Sequence, residues 1–153
     1  MAKNNFKARL LVGLQFGLLG LLFLKPNAPI LSDASFLSVV ALVLYFSGGA
    51  VLLLAFIALK PSLRVSPIPR EGAPLITHGI YKYFRHPMYL GVLFFGAGIT
   101  LKNLNIASII LWIALLITLI IKSNFEDSLL RVRHTSANEY QEKTMGLTWR
   151  RNA

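Results

Sequence analysis

Residues 36–59 read FLSVVALVLYFSGGAVLLLAFIAL, a run of 24 residues without a charged side chain. A helix needs about 20 apolar residues to cross the hydrocarbon core of a bilayer, and Lys60-Pro61 ends this run because proline cannot continue a helix. Three further apolar runs cover residues 10–24, 88–101 and 104–121. The sequence therefore predicts an all-α polytopic membrane protein, with four transmembrane helices in a single domain over residues 1–153.

The composition excludes a water-soluble domain. Of the 153 residues, 55% are hydrophobic and only 14% are charged, and the mean hydropathy is +0.60; soluble domains are usually about a quarter charged. The net charge of +10 would suit nucleic acid, but the basic residues punctuate the apolar runs instead of lining one face, so we expect no nucleic-acid partner. The absence of Cys excludes a disulfide framework, a thiolate metal site and a cysteine nucleophile, and we predict no metal site.

The third run and the charge distribution predict the topology. Residues 88–101 make a helix of about 21 Å, and only Lys102-Asn103 separates them from the fourth run, so the two must form a tight hairpin. Fourteen of the 16 Lys and Arg lie in the two terminal tails and the loop of residues 60–87, against two, Lys25 and Lys102, in the short hairpins. By the positive-inside rule we expect a multi-pass protein of the bacterial inner membrane with both termini cytosolic. The basic N-terminus resembles a signal peptide, but Lys25-Pro26 stands where a cleavage pattern is required, so we predict an uncleaved span.

Local patterns predict details of the packing. Ser32 and Asp33 can cap the second helix, four prolines should hold residues 61–74 extended, and Gly13 with Gly17 can seat a second helix closely. For this glycine pair we favour packing within the chain over dimerisation, and the oligomeric state stays open.

The interior of the apolar runs offers little chemistry. None of them contains a charged residue or a His, whereas ion-coupled transporters normally need such a residue facing the bundle interior. Gln15, Tyr45 and Thr118 are the main polar side chains at depth, and we assign them to helix packing. We therefore expect any function at a membrane edge.

The first polar cluster precedes the third span, over residues 79–91. Pro87 is well placed to start a helix, which leaves free amides beside Arg85 and His86 as a possible site for a carboxylate or phosphate. Gly91, one turn further, would let another backbone or a ligand approach. The alternative is an interfacial role, in which basic side chains meet lipid phosphates and the tyrosines form an aromatic belt.

The second cluster is Glu126-Asp127, just past the fourth span. Neighbouring helical residues point about 100° apart, so we expect at most one carboxylate to face a pocket squarely. The alternative is a pair of surface ion pairs with Lys122 and Arg131, each four residues away. An apolar stripe continues beyond the span, so we predict that the helix extends past the membrane and folds over the region of His86.

These motifs together resemble a known superfamily. They are PIP at 67–69, LITHGIY at 75–81, RHPMYLG at 85–91, the acids at 126–127, EY at 139–140, and Thr144. In this order they are similar to the isoprenylcysteine carboxyl methyltransferase and phospholipid methyltransferase superfamily, with Arg-His-Pro-x-Tyr-x-Gly as the most specific element. The resemblance covers roughly residues 60–145 and implies an integral-membrane enzyme that uses S-adenosylmethionine.

The resemblance also implies site residues. It makes Arg85 and His86 the catalytic candidates, and it places the cofactor among Tyr81, His86, Pro87, Tyr89, Leu90, Gly91, Glu126 and Asp127. Arg85 and the helix amides would hold the methionine carboxylate, while Glu126 or Asp127 would accept the ribose hydroxyls or the ammonium. We expect Asp127 to be the more tolerant acid, paired with Arg131.

The methyl acceptor stays open. A carboxylate needs no base, whereas an amine or a thiol must lose a proton, and His86 is then the first candidate base. The apolar setting favours a lipophilic small molecule or a lipid, with prenylated cysteine, phospholipid amine and small thiol as the classes that the resemblance implies.

Four positions depart from the family pattern: Ile80 for proline, Asp127 for glutamate, Ala137 for tyrosine and Gly146 for a basic residue. Three of them, at 127, 137 and 146, support an alternative hypothesis, a non-catalytic four-helix scaffold or lipid-binding protein that keeps the fold.

Overall fold

The computed structural model describes residues 2–24, 35–59 and 75–148. Five α-helices follow in chain order: α1 Ala2–Leu24, α2 Ser35–Leu59, α3 Pro87–Lys102, α4 Ile106–Arg133 and α5 Ala137–Lys143. A short 3-10 helix, Gly79–Lys82, precedes α3. The all-α prediction is confirmed.

Three of these helices, α1, α2 and α4, are long and apolar enough to cross a membrane. Helix α3 is apolar but has 16 residues, about 24 Å, which is less than a hydrocarbon core of about 30 Å. Helix α4 has 28 residues, about 42 Å, so it outreaches that core as the sequence predicted. The tight turn between α3 and α4 is also confirmed, and Asn105 closes it by accepting a hydrogen bond from the Ser108 amide at 2.8 Å.

Helices α2 and α3 pack as an antiparallel pair whose backbones touch at glycines. A Cβ atom at Gly48 would lie 2.5 Å from the Phe95 nitrogen, and one at Gly98 would lie 2.8 Å from the Ala41 oxygen. At Gly91 a Cβ atom would meet Leu52 Cγ at 2.8 Å. Only glycine fits such close approaches, so these positions set the distance between the two helices.

Helix α1 packs along α4 with the opposite chain direction. Lys7 Nζ lies 4.8 Å from the centroid of the Phe125 ring, and Gln15 accepts a hydrogen bond from Lys122 Nζ at 2.6 Å. The predicted packing of Gly13 and Gly17 within the chain is not observed among the described residues, because no neighbouring element there comes within 4 Å of a Cβ built at either glycine. The two glycines lie on the exposed face of α1, because the face that packs against the other helices carries Leu11, Gln15 and Leu22.

Other expectations lie outside the described residues. The cap from Ser32 and Asp33 and the proline-rich segment 61–74 belong to this group. Helix α1 begins at Ala2, eight residues before the predicted start of the span, because residues 2–9 contain neither proline nor glycine to end a helix.

Candidate active site

The segment before α3 turns sharply at Gly79. Its φ of 61° lies in the left-handed region that favours glycine, and the 3-10 helix that starts there buries Tyr81 against Ala55 and Ala58 of α2. The chain then reaches α3, where Pro87 occupies the first turn and His86 is the N-cap residue. This path brings Arg85 and His86 to the point where the start of α3 meets the C-terminal part of α4.

Four charged side chains meet at this point, and we call Arg85, His86, Glu126 and Asp127 the charged cluster. Arg85 Nη1 donates to Asp127 Oδ2 at 2.9 Å, and His86 Nε2 lies 2.8 Å from Asp127 Oδ1. On the other side of the ring, His86 Nδ1 lies 3.4 Å from Glu126 Oε2. Each ring nitrogen of His86 therefore faces a carboxylate, which is the arrangement that suits an imidazolium with two N–H donors.

The environment of His86 keeps its ring protonated. Burial acts to lower the pKa of His86, but its hydrogen bonds with Asp127 and then Glu126, together with their negative charges, outweigh burial and raise the pKa to about 9. At neutral pH the raised pKa makes the His86 ring a second cation beside the Arg85 guanidinium. A protonated ring has no free nitrogen lone pair, so the raised pKa argues against His86 as the first candidate base, while its predicted place in the site stays a prediction.

Tyr89 joins the cluster one turn into α3. Its hydroxyl donates to Glu126 Oε2 at 2.8 Å, and its ring lies parallel to the His86 ring, with centroids 5.3 Å apart and an interplanar angle of 3°. Lys122 Nζ lies 4.9 Å from the centroid of the Tyr89 ring. Through Lys122 and its hydrogen bond to Gln15, helix α1 is connected to the cluster.

The C-terminal segment closes the cluster from the other side. The amide of Arg85 donates to the Met145 carbonyl and the amide of Met145 donates to the Tyr83 carbonyl, both at 2.9 Å. Tyr140 Oη donates to the Tyr81 carbonyl at 2.8 Å. Backbone pairing and one side chain thus fix the loop of residues 81–85 to the segment that follows α4.

Three of the departures from the family pattern have structural roles here. Asp127 bonds to two cations, and Ala137 is fully buried at the start of α5. A Cβ atom at Gly146 would lie 2.6 Å from Arg85 Nη2, so the missing side chain leaves room for the guanidinium. The position of Gly146 therefore favours the observed path of Arg85 toward Asp127.

The structure brings together most of the predicted site residues. A chain of contacts joins the residues Arg85, Asp127, His86, Glu126 and Tyr89. Tyr81 is close enough that Glu126 adds to the effect of burial in raising its pKa. Pro87 is fully buried, and Leu90 is half-buried. Of the two possibilities for Gly91, the approach of another backbone is the one observed, since its open side faces α2.

Two expectations about the acids are wrong. Asp127 pairs with Arg85 and His86 and not with Arg131, and Lys122 donates to Gln15 and not to Glu126. Both carboxylates contact His86, with Asp127 the more buried and Glu126 nearer the edge at 12% and 26% side-chain exposure, in line with the expectation that only one would face inward squarely. They share one partner because the imidazole presents two nitrogen atoms on opposite sides of its ring.

Sequence reasoning missed the contributions of Gln15 and Lys122. Lys122 is 2% exposed and Gln15 is 7% exposed. Lys122 lies one helical turn before Glu126 on the same face of α4. The sequence signal for its role was its position, directly after the apolar run of residues 104–121. Its partner was not predictable, because the two residues are 107 positions apart in the chain.

These features define a class of protein: a helical, multi-pass membrane protein with a charged site between the start of one helix and the extended end of another. The chain belongs to the phospholipid methyltransferase family, whose model matches residues 36–135, and thereby to the superfamily that includes the isoprenylcysteine carboxyl methyltransferases. Members of the family are S-adenosylmethionine-dependent methyltransferases. No curated protein and no solved structure matches the chain.

Proposed function

We propose that this protein transfers a methyl group from S-adenosylmethionine to a lipophilic acceptor at the cytosolic edge of the membrane, and that the charged cluster is its active site. The observation that carries the proposal is the cluster itself. Helices α3 and α4 bring two buried cations and two carboxylates together across 41 residues of sequence. Burying charged groups costs desolvation free energy, and clusters of such groups are typical of functional sites.

The cluster offers groups that fit the cofactor. Arg85 Nε is buried and has no hydrogen-bond partner among the residues that the structure describes, so this N–H is available to a carboxylate such as that of the methionine moiety. The Glu126 side chain is 26% exposed and is the more accessible acid, suited to accept from the ammonium or the ribose hydroxyls. Tyr81, Tyr89 and Leu90 would line the remainder, whereas the predicted cofactor contacts of Pro87 and Gly91 are not part of this proposal, because Pro87 is fully buried and Gly91 faces α2.

The bound cofactor supplies an electrophilic methyl group. The protein contributes by orienting the reactants and excluding water, which are the main sources of rate in an in-line displacement. The cluster has little freedom to rearrange, because Asp127 holds Arg85 and His86 from one side and the Met145 segment holds the Arg85 backbone from the other. Arg85 and His86 would act by binding and positioning.

Among the open acceptor classes we propose a phospholipid amine first, because the family implies a lipid substrate. An amine must lose a proton before or during methylation, and the His86 ring is poorly suited to take it because each of its nitrogen atoms already faces a carboxylate. Glu126 is a carboxylate with an exposed fraction, so it is the proton acceptor that we propose for such a substrate. A carboxylate acceptor would need no such group.

The proposed topology follows from the charge distribution. With α3 as a fourth, short membrane segment, both termini and the charged cluster lie on the basic, cytosolic side, where S-adenosylmethionine is made. Reporter fusions at Ala153 and within residues 25–29 should then report opposite sides of the membrane. An external C-terminus would contradict the topology and the cofactor assignment together.

The scaffold hypothesis rested on three departures from the family pattern. Two of them have a place in the observed cluster, since Asp127 binds two cations and Gly146 makes room for Arg85, whereas Ala137 is buried at the start of α5. Residues that complete a charged site support an enzyme more than a scaffold.

Calorimetric binding of S-adenosylmethionine to the detergent-solubilised protein tests the proposal. Glu126→Gln should weaken binding about tenfold to a hundredfold, since a hydrogen bond to a charged group contributes about 1.5–3 kcal/mol. Glu139→Gln is the matched control, because Glu139 is exposed on α5 and pairs with Lys143. Equal affinity of wild type and Glu126→Gln would place the cofactor elsewhere.

A further inference from the structure

A concave site lies at the end of the helix bundle opposite to the charged cluster. It is a cavity of about 560 Å³ between the end of α1, the first half of α2 and the end of α3. Ligand sites usually occupy about 300–1,000 Å³. The cavity reaches Lys102 at the end of α3, about 23 Å along this helix from Pro87, so it is separate from the proposed active site.

The walls of this cavity are mainly apolar. Phe23, Ala41, Tyr45, Gly98 and Ile99 contribute to its lining. Ala41 and Gly98 are small because the α2 and α3 backbones touch there, with a Cβ at Gly98 only 2.8 Å from the Ala41 oxygen. Apolar cavities do not hold water well, whereas the bilayer around these helices supplies hydrocarbon chains.

Among the described residues that line the cavity, one carries a charge. Lys102 lines it together with Asn103, and the side chain of Lys102 is exposed. Within the described ranges 2–24, 35–59 and 75–148, no carboxylate forms an ion pair with it. An apolar cavity with a single ammonium group at its mouth complements a molecule with a hydrocarbon chain and an anionic head.

We propose that this cavity binds one acyl chain of an anionic phospholipid from the surrounding bilayer, with the phosphate at Lys102. The bound lipid is not the methyl acceptor, because its head lies at the opposite end of α3 from the charged cluster. Its role is to fill the space between α1 and the α2–α3 pair. The proposal is independent of the methyltransferase activity.

Native mass spectrometry of the full-length protein in mild detergent tests this site, with phosphatidylglycerol and phosphatidylcholine as the two probes. Wild type should bind one phosphatidylglycerol and prefer it over phosphatidylcholine. Lys102→Gln should lower the affinity for phosphatidylglycerol about fivefold, the contribution expected of one lysine near an anionic lipid surface, and should remove the preference. Lys143→Gln, which changes an exposed lysine at the other end of the molecule, should change neither.

A second variant tests the cavity independently of the charge. Ser38 is exposed on the rim, so Ser38→Trp can plug the opening without disturbing a buried position, and it should reduce binding of both lipids. Glu126→Gln should leave lipid binding intact. The proposal is overturned if Lys102→Gln and Ser38→Trp both bind phosphatidylglycerol as wild type does, or if Glu126→Gln abolishes the binding.

Discussion

Replacing Asp127 by Asn should destabilise the protein more than replacing Glu126 by Gln. Asp127 accepts from Arg85 at 2.9 Å and lies 2.8 Å from His86 Nε2, and the side chains of Asp127 and Arg85 are only 12% and 8% exposed. Asp127→Asn would therefore leave two buried cations without their carboxylate. This expectation reverses the sequence-based one, in which Asp127 was the tolerant acid.

The magnitude follows from burial. Removing one partner of a buried ion pair typically costs about 3–5 kcal/mol, because the other charge stays desolvated. Glu126→Gln removes a hydrogen bond from Tyr89 and the 3.4 Å contact with His86, at a site that water reaches more easily. The loss of a hydrogen bond to a charged group costs about 1.5–3 kcal/mol, so the two variants should differ by about 2 kcal/mol.

Denaturant unfolding in detergent micelles measures this difference, with Glu139→Gln on the exposed face of α5 as the control. Asp127→Glu keeps the charge and should recover about half of the stability that Asp127→Asn loses, since the added methylene in a packed site itself costs about 1–3 kcal/mol. If Asp127→Asn is no less stable than Glu126→Gln, the pairing of Asp127 with Arg85 and His86 does not govern the site.

Three further predictions concern pH, helix packing and the C-terminal segment. Since the folded pKa of His86, about 9, exceeds the unfolded value of 6.5, its protonated ring stabilises the fold by roughly 3 kcal/mol below pH 6.5. This stability should be lost as the pH rises through 9, in unfolding curves of wild type but not of His86→Asn. Gly48→Ala should cost about 1–3 kcal/mol or more by forcing α2 from α3, whereas Gly49→Ala, with open space around it, should be neutral or stabilising by about 0.5–1 kcal/mol in the same assay. Tyr140→Phe should raise the rate of proteolysis of the C-terminal segment, because it removes the hydrogen bond to the Tyr81 carbonyl. Tyr83→Phe, at an exposed position, should leave that rate unchanged. Equal proteolysis of the two variants would refute the role of Tyr140 in fixing this segment.

The ends of the membrane helices were largely predictable from the sequence. The bounds predicted for α2 and α3 agree with the structure to within one residue. Proline ends or starts a helix through its own backbone, so its effect can be predicted without knowledge of the fold. The start of α1 was missed, because the charged and polar side chains among residues 2–9 interrupt the apolar run but do not end the helix. The length of a helix depends on the helix propensity of its residues, whereas the span was predicted from side-chain hydropathy alone.

The site was predictable in its membership but not in its pairings. The motif around His86 and the acids of α4 pointed to the same cluster, and the structure brings them together. The i to i+4 rule assigned Arg131 to Asp127, yet Arg85 from 42 positions away is the partner. The rule describes an isolated helix, in which no buried cation from another segment competes for the carboxylate.

The most direct test of the account is methyl transfer by the protein reconstituted into vesicles. With S-adenosylmethionine labelled in its methyl group, label should pass into the organic phase when phosphatidylethanolamine or another acceptor of the three classes is present. Transfer should fall to background in Glu126→Gln and persist in Glu139→Gln. Wild-type transfer rates in Glu126→Gln, or no transfer by wild type to any of the three acceptor classes, would contradict the assignment of the charged cluster as a methyltransferase active site.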